Sequence, residues 1–173
     1  DQYYTAHVLR YYSADVGVTD EKDMLRVPLD DRMKWLFPQK IPTTQEEMKP
    51  YLQQIKVVIY TTKKKKGTMT LVVHKKLAKQ IQAVFKEMYQ EKFPVDPTCT
   101  AGYVWRNMAS DSSKLSCHSY GCVVDLNWTH NGAVYTSWPY NPGKDKLAVT
   151  EKIVAIWKKH GFYWGGDWSQ GSF

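Results

Sequence analysis

An α+β fold, one domain with an antiparallel sheet backed by helices, is what the sequence predicts, and three observations carry it. Residues 55–60 and 68–73 are apolar and β-branched runs separated by Lys63-Lys64-Lys65-Lys66-Gly67, which reads as two strands of a hairpin around a solvated turn. Leu77, Ile81, Val84, Phe85 and Met88 recur at helical spacing between residues 75 and 92, so that stretch is a helix with one buried face. Ile153, Ile156 and Trp157 repeat the pattern between 150 and 160, and Gly161 follows as a stop.

The remaining elements fall between these. Residues 1–54 mix aromatic residues with proline and charge and read as a layer packed on a core formed by residues 55–173, the whole being one structural domain. A helix over 44–55 is expected, because Thr44 and Glu47 have capping-box spacing. Pro94 and Pro97 end the long helix. A strand is predicted over 121–128, and Asn131-Gly132 then signals a hairpin into 133–136.

A chain of 173 residues, 43% hydrophobic and 14% aromatic, has enough apolar material for one sizeable core. The net charge of +7 favours anionic partners, of which nucleic acid is the default expectation. Much of it sits in the four-lysine turn, and no zinc finger or helix-turn-helix pattern accompanies it, which argues against nucleic acid. No apolar run reaches the length of a membrane span. The chain starts at Asp1 without an apolar leader, so any signal peptide is expected to have been removed. With Cys99, Cys117 and Cys122, one disulfide at most can form, and this is not a disulfide-framed protein.

The residues with chemistry to offer are clustered. Ser116-Cys117-His118-Ser119-Tyr120-Gly121-Cys122-Val123-Val124-Asp125 sets a histidine and an aspartate seven apart around a glycine that permits a sharp turn. An aspartate on an apolar strand is costly unless a cation receives it, and imidazole and carboxylate are both zinc ligands. A hydrogen-bonded pair that steadies a turn fits the same spacing. Ser116, His118 and Asp125 also include every residue type of a serine-hydrolase triad, but they lie too close along one turn and strand for relay geometry. His7, His74, His130 and His160 each have a structural reading, His160 at a helix end and His130 before a turn.

The same decapeptide resembles the S-x-H-x-x-G-x-A-x-D signature of the zinc D-alanyl-D-alanine carboxypeptidase and L-alanyl-D-glutamate peptidase family, bacterial and phage enzymes of peptidoglycan. Ala101-Gly102-Tyr103-Val104-Trp105-Arg106 is similar to that family's G-x-x-x-R segment, and Gly161-Phe162-Tyr163-Trp164-Gly165-Gly166-Asp167-Trp168 to its F-x-W-G-G-D-W segment. The resemblance implies the zinc-peptidase architecture of the hedgehog and carboxypeptidase type, with Zn(2+) as cofactor held by His118 and Asp125. It implies that Arg106 binds substrate or the oxyanion, and that Ser116, Trp164 and Asp167 line the substrate cleft. The implied substrate is the peptidoglycan stem peptide, and the implied place of action is extracellular, at the cell wall, where anionic polymers suit the charge.

Within the family a D-x-x-H element after the W-G-G-D-W segment supplies the third zinc ligand and the acidic base. Residues 1–173 contain no such element, and it is expected to follow Phe173. D-alanyl-D-alanine carboxypeptidase activity is the first expectation. An L-alanyl-D-glutamate endopeptidase and a metal-free wall-binding pseudoenzyme are the alternatives.

Overall fold

The computed structural model describes residues 5–8, 29–108, 111–131 and 144–164. The four-lysine turn folds as its sequence directs. Strands β2 (Leu52–Thr61) and β3 (Lys66–His74) pair antiparallel, with Ile55 opposite Leu71 and Val57 opposite Met69. The turn closes through the Lys64 N–H to the Thr61 carbonyl (2.9 Å) and the Thr61 N–H to the Lys65 carbonyl (2.8 Å), with Lys64 at φ 59°. Residues 63–66 are all exposed, so their charges stay in water.

Helix α3 (Ala78–Gln90) follows β3 through a 3-10 turn at Lys75–Leu77. Its predicted stripe is the core: Leu77, Ile81, Val84, Phe85 and Met88 are buried, together with Ile55, Val57, Ile59, Leu71 and Val73 of the hairpin. Each such side chain contributes about 1.5–3 kcal/mol in area removed from water. The helix runs back along the hairpin in the direction of β2, and the chain continues that way into β4 (Pro94–Val95), which pairs parallel to β2.

That pairing corrects the expected antiparallel sheet. There are two three-stranded sheets, one of order β3-β2-β4 and mixed, the other of order β5-β1-β6 and antiparallel. The second is built from β1 (Thr5–Val8), β5 (Val123–Asp125) and β6 (Phe162–Trp164), with β1 in the middle.

Two element bounds also differ from expectation. Helix α2 covers only Gln45–Met48; a 3-10 turn over Lys49–Tyr51 follows, and β2 starts at Leu52, because Pro50 cannot continue an α-helix. The Thr44 cap itself forms, its hydroxyl oxygen accepting the Glu47 N–H at 3.2 Å, while the Glu47 carboxylate accepts from the Thr43 N–H at 2.8 Å. The strand expected over 121–128 shrinks to Val123–Asp125, since Asn127 turns into the left-handed region at φ 48°. The hairpin expected through Gly132 lies outside the described residues.

Helix α1 (Leu29–Leu36) precedes α2, and helix α4 (Glu151–Lys159) is capped by Thr150, buries Ile153, Val154, Ile156 and Trp157, and ends at Gly161 with φ 86°. Phe85 of α3 meets Trp157 edge-on at 5.9 Å, and Trp157 meets Phe162 at 4.9 Å. Glu87 of α3 receives both Lys159 and His160, so His160 at the helix end joins α4 to α3. No helix of the described residues is long and apolar enough to cross a membrane.

His74 is the structural histidine its position suggested. Its Nε2–H donates to the Leu36 carbonyl at 2.9 Å, and its Nδ1 accepts the Lys76 N–H at 3.1 Å, so α1 is tied to the end of β3 by a neutral ring. Burial, helped by the charges of Lys76 and Lys75 and opposed by the Leu36 bond, pulls its pKa down to about 4. Tyr51 and Phe37 cover its faces. Because the unfolded chain binds this proton more readily, stability is full above pH 6.5 and falls as pH drops from there to about 4, by about 3 kcal/mol. Denaturant titrations across that interval are expected to show the slope, and His74→Gln is expected to flatten it.

Candidate metal centre

His118 owes its position to a short turn with a serine at one end and a glycine at the other. Residues Cys117–Tyr120 form a 3-10 turn whose cap is Ser116: the Ser116 hydroxyl oxygen accepts the His118 N–H at 3.3 Å. Gly121 closes the turn at φ 67°, a conformation that costs a side-chain-bearing residue free energy. It is also crowded: a Cβ there would stand 2.6 Å from the His74 nitrogen, whose N–H donates to the Gly121 carbonyl at 2.8 Å. The turn is thus pressed onto the end of β3.

The arginine segment is stitched to the same place. The Ala101 N–H and carbonyl bond the Asp125 carbonyl and N–H at 3.0 and 2.9 Å, and the Tyr103 N–H reaches the Val72 carbonyl of β3 at 2.8 Å. Between them Gly102 lies so close to β3 that a Cβ would come within 2.6 Å of the Val72 oxygen. Residues 101–103 therefore bridge the two sheets, and Gly102 is the residue that lets them do so.

What this achieves is an oriented imidazole. The Gly102 carbonyl lies 3.1 Å from His118 Nδ1, and a carbonyl can only accept, so the Nδ1–H is the donor and Nε2 faces the other way. It faces Asp125 Oδ2 at 3.0 Å, with both side chains buried. A carboxylate oxygen and an imidazole lone pair repel at that distance unless a proton or a metal cation lies in their field. An imidazole fixed by a carbonyl on one nitrogen, beside a carboxylate on the other, is the donor set that zinc takes. The residues present fit that ion.

The other expected site residues are placed as follows. Ser116 is fully buried beneath the turn it caps. The Arg106 N–H donates to Ser119 Oγ at 3.0 Å, and the Arg106 carbonyl accepts from Ser119 Oγ and the Ser116 N–H, both at 2.9 Å; its backbone is thereby locked to the His118 turn. Its guanidinium Nη1 donates to the Asn107 carbonyl at 3.3 Å on the exposed side. Trp164 ends β6, half-buried against the core and opposite Ala6. Asp167, with Gly165, Gly166 and Trp168, lies outside the described residues.

The sequence reading passed over Asn127. Fully buried two residues beyond Asp125, its amide nitrogen donates to the carbonyls of Pro94 and Leu147, each at 2.9 Å, and its oxygen accepts the Asp96 N–H at 2.8 Å. Left-handed backbone suits asparagine better than most residues, and the signal was an amide directly after an apolar strand. Asn131 acts likewise, donating to the Leu126 carbonyl and accepting from the Val149 N–H, both at 2.9 Å.

Residues 110–171 match the model of the D-alanyl-D-alanine carboxypeptidase family, a span that holds Ser116, His118, Asp125, Trp164 and Asp167 and excludes Arg106. The match bears out the resemblance read from the motifs and supports a peptidase of that type. No curated protein and no solved structure matches the chain.

Two outcomes follow from the packing. Gly102→Ala is expected to lower stability by about 2 kcal/mol, since the backbone that touches Val72 and orients His118 must move; denaturant melts measure it. Asn127→Leu, which strands the carbonyls of Pro94 and Leu147, the Asp96 N–H and the Thr100 hydroxyl, is expected to cost about 3 kcal/mol in the same melts.

Proposed function

We propose that this chain, whose C-terminal part is similar to the D-alanyl-D-alanine carboxypeptidases, is a zinc-dependent peptidase that releases terminal D-alanine from peptidoglycan stem peptides. The observation that carries the reading is the buried His118–Asp125 pair, with Nε2 and Oδ2 3.0 Å apart and the imidazole fixed by the Gly102 carbonyl. His118 and Asp125 would hold the ion. Bound zinc supplies Lewis acidity and makes hydroxide available near neutral pH.

The protein's own residues do the rest. Gly102 and Ser116 hold the His118 ring and backbone, so the ligand does not have to be ordered when the ion arrives. Arg106 extends from a backbone pinned to that turn, and its planar fork suits the free carboxylate of a terminal D-alanine or the oxygen that gains charge during hydrolysis. Trp164 and Asp167 complete the substrate wall in this reading. The acid–base group and third ligand belong to the family's D-x-x-H element, which does not occur in residues 1–173. A peptidoglycan substrate sets the place of action at the cell wall, and the charge of +7 suits the anionic polymers there.

The test has two readings. Purified protein is expected to carry zinc, and His118→Ala and Asp125→Ala are each expected to lower its metal content by one ion per chain. Mass spectrometry of muropeptides digested by a form carrying a D-x-x-H element is expected to show loss of a terminal alanine, with kcat/KM falling about 100-fold in Arg106→Lys. A cut between L-alanine and D-glutamate would instead make it an endopeptidase. Neither zinc nor cleavage would leave a wall-binding protein without catalysis.

A further inference from the structure

A second group of metal-type donors stands apart from His118 and Asp125, on the far side of Asn127. Asp96 Oδ2 lies 3.3 Å from His130 Nε2, and the donor atoms of Asp96, Cys99 and His130 all fall within 4.8 Å of one another. Each is held by neighbours that leave the converging atom aimed inward. Asp96 Oδ1 is taken by the Thr98 N–H at 3.0 Å and the Thr98 hydroxyl at 2.6 Å, which turns Oδ2 to the imidazole. His130 Nδ1 lies 3.0 Å from Asp145 Oδ2, while Asp145 Oδ1 accepts the Leu147 N–H at 2.9 Å. Nδ1 thus faces Asp145 and Nε2 faces Asp96; burial opposes charge on the ring, but the bonds to Asp145 and Asp96 outweigh it and raise its pKa, so a cation at Nε2 would replace a proton there.

Cys99 completes the set. It is buried, carries a thiol, and its sulfur accepts hydrogen bonds from Thr129, the residue before His130. Asp96 and His130 are 22% and 27% exposed, so an ion can reach them from solvent.

We propose that Asp96, Cys99 and His130 form a second divalent-cation site of the zinc class, with a fourth position left to water and Asp145 as the positioning residue that orients His130. Carboxylate, thiolate and imidazole are the three ligand types zinc prefers, and a histidine that ligates through one nitrogen characteristically donates its other N–H to a carboxylate. Burial pushes the Cys99 thiol up, so the ion binds by displacing the thiol proton to solvent. The site clamps three segments: the loop that begins at Asp96 and runs to Gly102, the 3-10 turn at Trp128–His130, and the approach to α4. The first of these carries the carbonyl that orients His118.

Cobalt(II) tests this, because a thiolate ligand gives a near-ultraviolet charge-transfer band that the His118–Asp125 pair cannot produce. Protein with Cys117→Ser and Cys122→Ser, leaving Cys99 as its thiol, is expected to develop that band with one cobalt per chain. Adding His130→Ala is expected to weaken the cobalt affinity at least 100-fold, and adding Asp145→Asn, which keeps all three donors, about tenfold. Circular dichroism identifies the folded variants. A folded protein with no band, or a band indifferent to both changes, overturns the proposal and leaves His130 as an imidazolium between two carboxylates. Because the readout is the thiolate, it stands or falls separately from zinc at His118 and from any peptidase activity.

Discussion

Everything that gives His118 its orientation depends on how closely other backbone can approach β3. Gly102 and Gly121 each stand where one added carbon would meet a main-chain atom of that strand at 2.6 Å. At Gly102 the contact brings a carbonyl under the imidazole; at Gly121 it seats the turn that carries it. The two glycines are far apart in sequence and belong to different motifs, yet they answer to the same steric constraint. A side chain at either position would separate backbone that has to touch for the ring to point at Asp125.

The elements that were legible in the sequence are those whose signal is local. The stripe from Leu77 to Met88, the four-lysine turn and the Thr44 cap each depend on residues within a few positions of one another. What was not legible depends on partners far along the chain. Thr5–Val8 becomes the middle strand of a sheet because β5 and β6, more than a hundred residues later, lie on either side of it. The parallel pairing of β4 follows from the path of α3, which no pattern in Pro94-Val95 announces. Capping-box spacing located the start of α2 correctly and could not forecast that Pro50 would end it at once.

The candidate centre divides along the same line. His118 and Asp125 stood out by residue type, but their spacing suits a turn-steadying pair as well as a ligand pair, and only the family resemblance favoured the second. The carbonyl of Gly102 could not be read, because a main-chain oxygen leaves no mark in a sequence beyond the absence of a side chain. Asn127 escaped notice for a related reason: an amide that joins Leu147 to the stretch from Pro94 to Thr100 looks, in one dimension, like any polar residue after a strand. His130 looked like the start of a turn until Asp96 and Asp145 were found on its two nitrogens.

The lysine turn has a consequence for association between copies. In the mixed sheet β3 is an outer strand, and its second half is covered where Tyr103 bonds Val72 and Gly121 bonds His74. Its first half, from Lys66 to Thr70, has no such cover among the described residues, and an uncovered strand is a template on which another chain can pair. Lys63, Lys64, Lys65 and Lys66 stand at that end. Any chain pairing there must lie beside the charge of Lys66 and the adjoining turn, the kind of edge lysine that discourages a sheet from growing into a neighbour.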